Sequence, residues 1–214
     1  MNRLMIPVLN VNWQSQPTDY SLSERDVDVL AFLSEEEFHF FTFEGLKRRL
    51  GLHPETLSRI LDRLEDEGII KKSSEGYTVT KEIAKHLKQH GGNGSASMVL
   101  LQTFLPSDMP VSELVSNLRG RWFGLLRWLG LAENGESVAL KWVTEDGDIQ
   151  MDAKIALNVL TIEAKFLHGY NQNLALKAAY QLITHISKLN SRTRAPIART
   201  VGYFGNSDFY YMPT

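Results

Sequence analysis

Residues 51–80 read GLHPETLSRILDRLEDEGIIKKSSEGYTVT. Leu57, Ile60, Leu61 and Leu64 recur at i, i+3, i+4 and i+7, the spacing of an amphipathic helix with one buried stripe. Pro54 fits the first helical position, where a missing N–H costs nothing. Glu67-Gly68 stops the helix. "IIKK" and "YTVT" then read as two short strands across the turn "SSEG". Working upstream, Thr42 caps a helix over "FEGLKRRL", with Phe43, Leu46 and Leu50 on one face. Gly51 closes it where left-handed backbone is needed. "FHFFTF" leads into that helix. Further back, Ser23 caps "SERDVDVLAFL", with Asp26 as its capping-box partner. Val27, Leu30 and Leu33, with Phe32 nearby, supply the apolar face. "KEIAKHLKQH", residues 81–90, reads as a last helix.

The order helix, helix, Gly-containing turn, helix, β-hairpin, helix resembles the winged helix-turn-helix domains of the MarR, ArsR and related regulators. The resemblance rests on "LKRRLGLHPETLSRILDRLEDEGIIKK" and covers about a third of the chain. It implies a DNA-binding transcriptional regulator, a homodimer, and a third helix that enters the major groove of double-stranded DNA. On that helix the face opposite the stripe carries Glu55, Thr56, Ser58, Arg59, Asp62 and Arg63. Thr56, Ser58 and Arg59 are the expected base contacts, because hydroxyls and guanidinium groups match base edges. Glu55 either accepts from a cytosine amino group or simply favours the helix N-terminus. His53 occupies the cap position, where Ser, Thr, Asp or Asn would stabilise better. It reads as a phosphate contact or a plain turn residue. Lys47, Arg48 and Arg49 on the preceding helix, and Lys71 and Lys72 at the wing base, are candidate phosphate contacts. Such contacts position the protein without reading sequence.

"GGNGSAS", residues 91–97, reads as a flexible linker. It divides the chain into an N-terminal arm (1–20), a winged helix-turn-helix domain (21–90) and a second unit (98–214). The second unit shows "MVLLQTFL" as a strand and "PVSELVSNLRG" as a helix. "RWFGLLRWLGL", "SVALKWV", "DIQM" and "KIALNVLTIEAKF" read as β-runs, with Asp-Gly in "TEDGD" a hairpin signal. "NLALKAAYQLITHISKL" is a helix. The expected fold is α+β: a winged helix followed by an α+β domain with a mainly antiparallel sheet and helices against one face. That second domain is expected to dimerise, to sense a small-molecule effector, or both. Trp122, Trp128, Trp142 and Phe123 line a ligand pocket or form core. Asn158, polar within an apolar run, needs a partner or points into that pocket. Arg127 and Lys141 face solvent or grip an anion. The tail from Ser191, with three Arg and then five aromatics, docks on a partner, on nucleic acid or on its own domain.

Composition narrows the classes. The 214 residues carry a formal charge of −2, so any nucleic-acid surface must be local. Residues 1–92 hold more Asp and Glu than Lys and Arg. A winged helix with an acidic surface can instead be a protein-interaction module that leaves DNA alone. The absence of Cys excludes disulfides, zinc-thiolate sites and cysteine nucleophiles. No cofactor and no metal site is expected. The N-terminus has no apolar core of a signal peptide, and no run reaches membrane-spanning length. The expected compartment is the cytoplasm, with no membrane partner. Phosphate-binding, dinucleotide and nucleophile-elbow motifs are missing. The expectation is no enzyme; the alternative is one of unrecognised class in residues 98–214.

Overall fold

The computed structural model describes residues 23–80, 97–106 and 109–193. The helices are α1 (Glu24–Glu35), α2 (Phe43–Leu50), α3 (Pro54–Asp66), α4 (Val111–Leu118) and α5 (Gln172–Thr193). The strands are β1 (Phe38–Phe41), β2 (Ile70–Lys72), β3 (Tyr77–Val79), β4 (Ser97–Phe104), β5 (Leu126–Glu133), β6 (Ser137–Thr144), β7 (Ile149–Ala156) and β8 (Val159–Phe166). The fold is mixed helix and antiparallel sheet. The expected arm 1–20, helix 81–90, the linker up to residue 96 and the tail from residue 194 lie outside the described residues.

Local signals explain the helices. Ser23 Oγ accepts the Asp26 N–H, and the Asp26 carboxylate accepts the Ser23 N–H at 2.8 Å, which completes the capping box. Thr42 caps α2 by accepting the Gly45 N–H at 3.2 Å. Gly51 closes that helix at φ 62, a conformation cheap only for glycine. Leu57, Ile60, Leu61 and Leu64 are all essentially inaccessible, as their spacing requires. On α1 the face is rotated from the expected one. Val27 is 45% exposed and Val29 is buried in its place.

All strands join one sheet in the order β2-β3-β1-β5-β6-β7-β8-β4. The β-hairpin of residues 70–79 is thus continuous with the strands of the second half. The join is β1, absent from the sequence reading, whose Phe40 and Phe41 face Leu131 and Gly130 of β5. Strand alternation then divides the sheet by face. Leu140, Trp142, Met151, Ala153, Leu160 and Ile162 point to one side, where α4 and α5 cover them. Leu129 points to the other side and joins the core of α1–α3 with Phe41, Leu46, Leu57 and Leu64. α2 lies very close to β5: a Cβ on Gly45 would stand 2.6 Å from Leu129 Cα. Two apolar cores therefore sit back to back across one sheet.

Two β-runs are shorter than the sequence suggests. "RWFGLLRWLGL" becomes strand only at Leu126, because residues 119–125 form a loop. "KIALNVLTIEAKF" is two strands. Leu157 and Asn158 have φ 47 and 66, the positive pair of a two-residue hairpin turn. Asn tolerates that conformation, and its apolar flanks disguised it. Ser97 opens β4.

Candidate nucleic-acid interface

α3 is anchored by its four apolar residues and turns its other side outward. His53, Glu55, Ser58 and Arg59 are exposed and Thr56 is half-buried. His53 stands at the cap, but its side chain makes no capping bond. Arg59 pairs with Glu55 one turn back at 2.6 Å, with both side chains about two-thirds exposed. An exposed i, i+4 pair is worth only about 0.3–0.5 kcal/mol. Arg59 can leave it for a better acceptor at small cost.

Arg63 has a different role. Its guanidinium holds the Asp26 carboxylate through two bonds, Nη2 at 2.6 Å and Nε at 3.0 Å. Asp26 is fully buried at the start of α1. Burial opposes its charge, but Arg63 and the Ser23 groups outweigh that and keep the carboxyl below its ordinary value. Arg63 thereby clamps α3 to α1. Arg49 also turns inward: its Nε donates to Gln150 at 2.7 Å and its guanidinium lies 4.7 Å over the Phe32 ring. Burial lowers its basicity, offset in part by nearby Glu36 and Glu35. The other two α2 cations stay near the surface around Glu44. Lys47 is 2.7 Å from that carboxylate, and Arg48 donates to the Glu44 carbonyl at 3.2 Å.

Lys71 and Lys72 are exposed on β2, the edge strand. The Lys72 N–H donates to Glu65 at 3.1 Å, which ties the wing base to the end of α3. Between α3 and the wing lies an open groove of about 950 Å³. Arg48, Ser58, Lys72, Arg119 and Trp122 contribute to its walls, as do Glu44 and Glu75. The groove brings Arg48, Ser58 and Lys72 together. His53, Glu55, Thr56, Arg59, Lys47 and Lys71 do not line it, and Arg49 and Arg63 turn to Gln150 and Asp26 instead.

The aromatic residues of the second half separate in the same way. Trp128 and Trp142 are buried and meet edge to face at 5.3 Å, so they are core. Trp122 is 61% exposed, with the Arg127 guanidinium 4.8 Å from its ring. Asn158 lies on the exposed β7–β8 turn, so its polarity reflects turn geometry. The three Trp and Asn158 do not converge on one cavity.

Lys141, expected to face solvent or grip an anion, is instead the centre of a buried charged cluster within the fold. Lys141 is buried and donates to Glu36 at 2.8 Å and to Asp152 at 2.9 Å. Lys165 reaches Glu36 at 2.6 Å. Gln150 donates to both carboxylates and accepts from Arg49. Burial would raise the Glu36 carboxyl, but the two lysines hold it at about 2. Burial likewise opposes the Lys141 charge, yet Asp152 and Glu36 raise its pKa. The cluster borders a polar cavity of about 450 Å³ and fastens the α1–β1 turn and α2 to β6, β7 and β8. Polar residues alternating along "DIQMDAK" were its only sequence signal.

The MarR family model matches residues 22–75, roughly a quarter of the chain. That family consists of DNA-binding regulators, and the match agrees with the capped helices, α3 and wing described above. No curated protein and no solved structure matches the chain. Among the described residues, no helix is long and apolar enough to cross a membrane.

Proposed function

We propose that the chain is a cytoplasmic, homodimeric transcriptional regulator that reads operator DNA through α3. The observation that carries this reading is the division of α3 into two faces beside the basic wing. Its apolar stripe is locked into the core, while Ser58 and Arg59 stand exposed at its N-terminal half. That half is the part that meets base edges in helix-turn-helix proteins. Lys71, Lys72 and Arg48 then supply phosphate contacts on either side. In this reading residues 98–214 dimerise or sense an effector. The continuous sheet would carry either event to α3, and the polar cavity beside Lys141 offers an effector a location.

A protein-interaction module is the competing reading. It is favoured by Glu44, Glu55 and Glu75, which stand among the cations of this face. Selection of binding sites from random duplexes separates the two. The proposal expects an enriched motif with half-sites about 10–10.5 bp apart, as a dimer requires. Arg59→Ala should weaken binding to that motif by about 1–3 kcal/mol and relax one base position. Enrichment of the same motif with the same base preferences by the variant would remove Arg59 as a base reader. No enrichment at all would favour the protein-interaction reading.

A further inference from the structure

The loop between α4 and β5 reads Arg119-Gly120-Arg121-Trp122. It belongs to the second half, yet it stands beside the wing. The Arg119 guanidinium is 3.6 Å from the Glu75 carboxylate at the wing tip and 4.6 Å over the Phe40 ring. Arg119 and Trp122 line the groove that also holds Ser58 and Lys72.

The loop's backbone is anchored by hydrogen bonds, while the side chains of Arg121 and Trp122 are open to solvent. The Arg121 carbonyl accepts the indole N–H of fully buried Trp142 at 2.9 Å. The Arg121 N–H donates to the Leu118 carbonyl at 3.2 Å, and Phe123 and Leu126 exchange backbone bonds. With the backbone so held, Arg121 and Trp122 project outward. Arg121 has no ion-pair partner among the described residues. Trp122 is 61% exposed, costly for a side chain that would otherwise be packed. The wing tip Ser73-Ser74-Glu75-Gly76 offers no cation of its own. The Glu75–Arg119 pair is exposed, so it yields readily to a stronger anion.

We propose that the loop Arg119–Trp122 is a second contact element for double-stranded nucleic acid, supplying the basic tip that the wing lacks. Arg119 and Arg121 take backbone phosphates next to those met by Lys72. Trp122 lays its ring against the adjoining sugar edge. The inference rests on the DNA-binding reading above.

The test is fluorescence anisotropy of the full chain on labelled duplex DNA over a salt series. Arg119→Ala with Arg121→Ala should weaken binding to every duplex alike and shallow the log–log salt slope by up to about 1.8, or about 0.9 per phosphate. Across a fourfold rise in salt, each lost contact makes the variant about 3-fold less salt-sensitive than the parent. Trp122→Ala should lower affinity without changing the slope, since it carries no charge. Arg121→Ala alone, which breaks no side-chain hydrogen bond or ion pair among the described residues, gives half the slope change and guards against misfolding of the double variant. If the parent binds duplex DNA and the arginine variants match it in slope and affinity, the loop proposal is overturned and the DNA-binding reading stands. If the parent binds no duplex in a salt-dependent way, both fall together.

Discussion

Lys141 and Lys71 are both lysines in short apolar strands, "SVALKWV" and "GIIKK", and their environments are opposite. Lys141 is 3% exposed, fixed between Glu36 and Asp152. Lys71 is open to solvent on the outermost strand. The difference lies in the sheet. β6 is central, and the helices of both cores cover its two faces, so its lysine must be paired inside. β2 is an edge, where a charged residue also discourages pairing with a second sheet. The same contrast separates Arg49 and Arg63, which face Gln150 and Asp26, from Arg59, which faces solvent. Cations of the first kind hold α1, α2 and α3 to one another and to the sheet. Those of the second kind are available to a polyanion.

The largest expected break in this comparison is Lys141→Ala. Removing one member of a buried pair leaves Glu36 and Asp152 short of a partner in a low-dielectric site, a loss of about 3–5 kcal/mol. Lys71→Ala should change stability by about 0.5 kcal/mol or less. Urea unfolding of the two variants, followed by far-UV circular dichroism, measures both. Equal effects would mean that burial does not separate the two lysines in energy.

Acid sharpens the same point. The Glu36 carboxyl sits at about 2, below its ordinary 4.5, so its charged form stabilises the fold. Its contribution is therefore complete above about pH 4.5 and is lost as pH falls toward 2. The full shift corresponds to about 3 kcal/mol. Urea midpoints from pH 5 down to pH 2.5 should fall in that window, and Glu36→Gln should flatten the fall. A variant that loses stability with acid as steeply as the parent would show that other carboxylates govern the transition.

Much of residues 23–80 was legible because each signal there is local. Ser23, Thr42, Pro54 and Gly51 act within one turn, and the α3 stripe repeats at helical spacing. β1 was not legible. Four residues rich in Phe fit a strand or a buried turn, and only pairing with β5 decides. Asn158 was misread because apolar neighbours hid a tight turn. The candidate interface was legible as a set of cations but not as a surface. Whether Arg63 reads a base or clamps Asp26 depends on where α1 packs, which lies 37 residues away in sequence. Lys141 and Glu36 are 105 residues apart, and no local pattern links them.

The smallest expected effect is also the most direct test of the claim that the exposed cations face DNA. Lys71→Ala with Lys72→Ala removes two charges from the wing base without touching the buried set. Anisotropy titrations of duplex DNA across a salt series should show weaker binding to all sequences alike, an unchanged selected motif and a slope shallower by about two units at most. Unchanged affinity together with an unchanged slope would contradict the account. The wing would then not touch DNA, and a protein partner would become the better reading of this face.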